Sequence, residues 1–204
     1  MAVVEHPGPV PAAAAPPSPR SVVPPSIVPL AGIPPVAAIV VALVISIKGN
    51  WPWALDFFHV AGGGLWTGAD LFMGFVIGPI MRRLTIPARI ELTTRLMPKM
   101  LLILPTLVTM TLASGFQLAR LNGMLSTSYS RHTWVVVSMV VVAAMATTAL
   151  GLLQPANIAV LFELRKEQPN PAVIAGLMQR FAYAAAVIGV MQVATLLIMT
   201  RLAS

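Results

Sequence analysis

Trp53–Ile80 reads W-A-L-D-F-F-H-V-A-G-G-G-L-W-T-G-A-D-L-F-M-G-F-V-I-G-P-I, and this stretch decides the fold. It exceeds the roughly 20 helical residues needed to cross about 30 Å of hydrocarbon, long enough to cross with tilt. Its only charges are Asp56 and Asp70, and Arg82 and Arg83 close it. Apolar residues run continuously instead of alternating, so the segment reads as a spanning helix and not as a strand of a membrane barrel.

The pattern recurs along the chain. Further apolar runs cover about Ile27 or Val36 to Ile47, Met100 to Ala119, Thr133 to Phe162 and Phe181 to Met199. Pro34 and Pro35 interrupt the first of these and leave its start open, and Pro155 is expected to kink the fourth. Of the 204 residues, 57% are hydrophobic and 9% charged, whereas a soluble domain carries about a quarter charged residues. The expected architecture is therefore all-α: an integral membrane helical bundle of about five transmembrane helices, with a four-helix core plus an N-terminal span.

Residues 1–35 hold eleven prolines. Proline removes backbone donors and fixes φ, so this segment is expected to be a disordered Pro/Ala-rich arm, with residues 36–204 forming the transmembrane domain. No basic region precedes a compact apolar core there, so it does not read as a signal peptide.

The net charge is +7, but the basic residues sit between the apolar runs and form no patch interleaved with aromatics, which argues against nucleic acid. Arg20, Arg82, Arg83, Arg89, Arg95, Lys99, Arg165, Lys166 and Arg180 fall on one side, and Lys48, Arg120, Arg131 and Arg201 on the other. The positive-inside rule then puts the N-terminus in the cytoplasm and the C-terminus outside, with Trp51 and Trp53 at the outer interface. The chain has no cysteine, which excludes disulfides and thiolate metal sites. G-x-S-x-G, phosphate-loop and H-E-x-x-H signatures are absent.

Ionisable groups inside a span are expensive and are functional candidates by default. At about 100° per residue, Asp56, His59, Gly63, Trp66 and Asp70 fall within roughly 60° of the His59 direction, a polar and aromatic stripe expected to face protein. An imidazole at the depth of His59 can ligate haem iron, bind copper, relay a proton, or simply bond to Asp56 or a backbone carbonyl. Asp70, near mid-membrane, calls for a proton or a basic partner, or takes a structural hydrogen bond. His132 opens the fourth span on the same side as His59 and is a candidate second ligand. The candidates are thus His59, His132 and Trp66 for a cofactor, and His59, Asp56 and Asp70 for a metal ion.

Gln117, Gln154, Asn157 and Gln192 read as interhelical hydrogen-bonding groups, and Gly64/Gly68 and Gly74/Gly78 as small-residue packing pairs. The twelve methionines, including the Met97/Met100 pair, read as core fillers.

His59 to Gly68, H-V-A-G-G-G-L-W-T-G, resembles the opening helix of bacterial membrane proteins related to the haem-pathway protoporphyrinogen oxidase and the copper-resistance D domain. Leu104–Val108 with Ser114-Gly115, and Arg131–Trp134, resemble the following two helices, so the likeness covers roughly residues 53–201. It implies a four-helix core in a bacterial inner membrane that binds b-type haem through His59 and a lysine of a later helix. Here the turn after His132 reads Val135-Val136-Val137 and has no lysine, so the second ligand and the oxidase activity do not carry over. The expected function is redox or metal handling with haem b or copper on His59. The alternatives are a non-catalytic subunit packing with other membrane helices or with its own copies, and a copper or small-solute permease.

Overall fold

The computed structural model describes residues 29–203. The Pro-rich arm falls almost wholly outside them. Five long apolar helices fill the described chain, and no strand occurs among these residues.

Helix α1 (Ile33–Gly49) is entered through a short 3-10 turn, Leu30–Gly32. The first span therefore begins between the two expected starts. Pro34 and Pro35 do not interrupt it, because they occupy the first turn, where a backbone N–H has no intrahelical acceptor to lose. Asn50 ends α1 in the left-handed conformation (φ 50°) and returns its N–H to Ile47. Pro52 then opens α2 (Pro52–Arg83), whose middle, Phe72–Ile77, is wound as a π-helix.

After a turn at Leu84 and Thr85 comes α3 (Ile86–Leu121). The third span, expected from Met100, thus belongs to a helix that begins fourteen residues earlier. Arg89, Glu91, Arg95 and Lys99 lie on its first turns, and at 1.5 Å per residue the helix extends about 54 Å, well beyond the hydrocarbon thickness. Apolarity locates the membrane-embedded part of a helix, and charged residues of good helical propensity carry it further.

Helix α4 (His132–Leu164) contains a second π segment at Ala149–Leu153. Helix α5 (Pro171–Ala203) starts ten residues before the expected Phe181. Asn170 caps it, its Oδ1 accepting from the N–H groups of Ala172 (3.0 Å) and Val173 (3.4 Å), and Pro171 stands in the first turn.

Each π segment is followed by a proline. Gly78 precedes Pro79 and donates to Met73, five residues back; Gln154 precedes Pro155 and donates to Ala149, again five back. Proline has no N–H, so the carbonyl four residues before it loses its partner, and the backbone widens by one residue ahead of it. At Pro155, the site of the expected kink, the helix carries a π turn just before the proline.

Helix α2 packs most extensively on α3, and α5 packs on α2 and α4; α1 lies outside this four-helix core, mainly against α3. The core is apolar at Leu55, Met97, Val160, Phe181 and Ile188, and Met97 is one of its fillers. Polar side chains are also interior: Asp70, Thr93, Ser114 and Asn157 are fully buried, while Phe57, Val60, Val140 and Leu197 are more than 60% exposed. Apolar groups outside and polar groups inside make the pattern of a bundle whose solvent is lipid.

Small residues set the closest contacts. A Cβ on Gly74 would stand 2.6 Å from Ala186, and one on Gly78 3.1 Å from Ala182, so this pair seats α5 on α2. Gly64 and Gly68 differ: both are exposed, and a Cβ there would meet nothing within 4 Å among the described residues.

Candidate functional site

The stripe on α2 turns inward progressively. Asp56 is exposed, His59 half-buried, and Trp66 and Asp70 are buried.

His59 lodges between α2 and α3. Its Nδ1 lies 2.8 Å from the carbonyl oxygen of Thr111. A carbonyl only accepts, so Nδ1 carries a hydrogen and is the donor, which leaves Nε2 as the nitrogen facing away from this bond. The partner is a backbone carbonyl and not Asp56. The fit is steric as well: a Cβ on Gly115 would fall 2.5 Å from Nδ1 and Cε1, and a Cβ on Gly62, one turn after His59, would fall 2.8 Å from the Thr111 hydroxyl. Glycine is therefore required on each helix where the other projects a side chain.

His132 is half-buried at the start of α4, with its Nδ1 buried and without a partner. This end of α4 packs on α5 and not on α2, so the two histidines are not brought together. Asp70 lies about 16 Å further along α2 than His59. Among the described residues no three His, Asp or Glu side chains gather as a metal-binding group.

The inner end of the stripe forms a different centre. Gln192 on α5 donates from Nε2 to Asp70 Oδ2 at 3.3 Å. Asp70 Oδ1 and Gln192 Oε1 are both buried without a partner. Trp66, one turn earlier, stands close enough to act on the carboxyl group, though only Gln192 bonds to it with regular geometry. Among the described residues no basic side chain forms an ion pair with Asp70.

One turn from Asp70, an open pocket of about 350 Å³ is lined by Trp66, Leu104, Pro105, Val108, Leu153 and Gln154 among others; neither Asp70 nor Gln192 lines it. Its size is at the lower end of small-molecule sites, roughly 300–1,000 Å³, and its walls are mostly apolar. Gln154 Oε1 is unpaired, as are both polar atoms of Asn157 one turn on. Since Trp66 and Gln154 share the cavity, and Asp70 and Asn157 each lie one turn nearer the basic end, register sets the latter two at one depth. The π segment of α2 begins two residues after Asp70, and that of α4 ends one residue before Gln154.

Gln117 is an interhelical bond of the expected kind: its Nε2 donates to Asn50 Oδ1 at 2.6 Å and its Oε1 accepts from Arg120 at 3.3 Å. Gln192 is another. Gln154 and Asn157, by contrast, have no interhelical partner.

These features define a multi-pass α-helical membrane protein with a buried polar centre. Comparison with protein-family models, curated proteins and solved structures returns no match to this chain.

Proposed function

We propose that the chain is a proton-coupled permease for a small, largely apolar solute, with Asp70 as the proton carrier and the adjacent cavity as the solute site. The observation that carries this reading is the Asp70–Gln192 pair, in which two facing side chains share one hydrogen bond and keep one unpaired acceptor each. A carboxylate and an amide carbonyl offer no hydrogen between them on that edge. One proton on Asp70 Oδ1 supplies it, donates to Gln192 Oε1 and closes a cyclic acid–amide pair.

Loss of that proton leaves a carboxylate in apolar surroundings, which is costly unless donors approach. Besides Gln192, the Trp66 indole lies one turn before Asp70 on the same helix, and the Asn157 amide lies at the same depth on α4. Bringing the Asn157 amide to the carboxylate requires α4 to move toward α2, and the π segments are where each helix has already left the regular ladder. Occupancy of the cavity and protonation of Asp70 thereby influence one another, since each favours a different arrangement of the same side chains. The reading keeps the cation-rich end in the cytoplasm, with the N-terminus inside, in a bacterial inner membrane.

The test uses protein reconstituted into liposomes that contain a pH-sensitive dye, with proton entry driven by a potassium diffusion potential. With small apolar probes such as aliphatic alcohols supplied outside, wild type should acidify the lumen faster than empty vesicles, and Asp70→Asn should reduce the rate to theirs. Equal rates for wild type and Asp70→Asn would overturn the reading.

A second reading is favoured by the His59–Thr111 bond. An imidazole that donates from one nitrogen to a backbone carbonyl is oriented to ligate through the other, so His59 Nε2 fits one ligand position of a b-type haem or a copper ion. Such a group would supply one-electron redox chemistry, in line with the resemblance of His59–Gly68 to the oxidase and copper-resistance proteins. His132 offers no second ligand beside it. A Soret band that shifts on reduction and disappears in His59→Ala would support this reading; a colourless, copper-free preparation from cells supplied with both would remove it.

A further inference from the structure

At the basic end of the bundle, a groove of about 220 Å³ runs between the π segment of α2 and the facing turns of α5. Gly74 and Gly78, packed on Ala186 and Ala182, form its floor, and Met73 and Ile77 add apolar wall. Arg82, Arg89 and Tyr183 stand at its mouth.

Neither arginine is neutralised. The Arg82 guanidinium lies over the Tyr183 ring, 5.9 Å from its centroid. Arg89 donates through one terminal nitrogen to the carbonyls of Arg82 (3.4 Å) and Leu84 (3.3 Å), and its Nε is buried without a partner. The ion pairs among the described residues lie elsewhere, Arg95 with Glu91 and Lys166 with Glu163.

We propose that this groove binds an anionic phospholipid, with its phosphate between Arg82 and Arg89 and the start of one acyl chain along the apolar floor. Charge complementarity selects the anion: two guanidinium groups and no carboxylate line this groove, and guanidinium presents forked donors suited to phosphate. Apolar walls that continue into the lipid-facing surface at the exposed Phe75 select an amphiphile over a soluble ion. The mouth lies where α2 ends in Arg82 and Arg83, the level of the headgroups, and basic pockets between spans at that level suit acidic headgroups.

The experiment titrates phosphatidylglycerol or phosphatidylcholine into detergent-solubilised full-length protein, reading the thermal unfolding midpoint and the lipid retained in native mass spectrometry. Phosphatidylglycerol should raise the midpoint and be retained as one tight equivalent, and phosphatidylcholine should do neither. The double substitution Arg82→Gln/Arg89→Gln should raise the half-saturating lipid fraction about tenfold, as expected when a charge-assisted contact is lost. Arg165→Gln, away from the groove, should leave it unchanged. Should the double variant fail to fold, Arg82→Gln alone, whose contact is the face of Tyr183, should still weaken retention. Equal effects of the two lipids, or an equal loss in Arg165→Gln, would overturn the proposal. So would reproduction of the full shift by inorganic phosphate alone, which would make the site one for a soluble anion.

Discussion

His59 on α2 occupies the space above Gly115 on α3 that any other side chain would need, with the Nδ1–Cε1 edge of the ring 2.5 Å from where a Cβ at position 115 would lie. Gly115→Ala should therefore destabilise the protein by about 1–3 kcal/mol through overpacking. His59→Ala should cost a similar amount, since it removes the bond to Thr111 and leaves a gap. The double variant should be more stable than the two separate losses predict, because the added methyl group enters the space left by the imidazole. Denaturation in mixed micelles measures all three.

The two glycine pairs on α2 should respond in opposite ways. Gly74→Ala pushes a methyl group into the Ala186 backbone at 2.6 Å, which neither helix can yield without separating, so α5 should loosen and the unfolding midpoint fall. Gly68→Ala meets nothing within 4 Å and should be neutral, or stabilising by roughly 0.5–1 kcal/mol from helix propensity. A drop in Gly68→Ala as large as in Gly74→Ala would indicate a contact made by that face in the assembled protein.

Gln192→Leu should cost about 1–3 kcal/mol, because it strips the buried Asp70 carboxyl of its bonded partner, and Asp70→Asn should cost less, because an amide can replace the acid opposite Gln192. The order of the two midpoints is the readout. If Asp70→Asn is the more damaging, the carboxyl group has a bonding role that an amide does not meet.

Because the chain has no cysteine, orientation can be read with single introduced thiols. Ser128→Cys, in the exposed turn between α3 and α4, should react with a membrane-impermeant maleimide added to intact cells, and Glu167→Cys, between α4 and α5, only after permeabilisation. The reverse pattern would invert the orientation expected from the basic residues.

The spans and their number are legible in the sequence because lipid demands continuous apolar runs, and nothing else in the chain resembles them. The helix ends are less so. The start of α3 carries Arg89, Glu91, Arg95 and Lys99, which are compatible with helix but not with hydrocarbon, so apolarity stops short of where the helix does. The direction of the α2 stripe follows from periodicity, which brings Trp66 and Asp70 inward as expected. Asp56, near the start of the helix, is exposed among the described residues. What periodicity cannot supply is the facing surface: that His59 meets Thr111 and Gly115, or that Asp70 meets Gln192 more than a hundred residues away, depends on how α3 and α5 dock. The sequence signal for the π segments lies in Pro79 and Pro155, prolines inside otherwise uninterrupted spans. Pro98 and Pro105 lie inside α3 without producing one, so the proline alone does not specify it.

The central claim is that Asp70 holds a proton shared with Gln192, and infrared difference spectroscopy of the purified protein tests it most directly. Asp70 is the one fully buried carboxyl group among the described residues, so its acid form should give a carbonyl band distinct from those of ionised carboxylates. At neutral pH the account predicts that band in wild type, its disappearance in Asp70→Asn, and a shift to the frequency of a less strongly bonded acid in Gln192→Leu. A wild-type spectrum at neutral pH in which no carboxylic-acid band is lost on substituting Asp70 would contradict it.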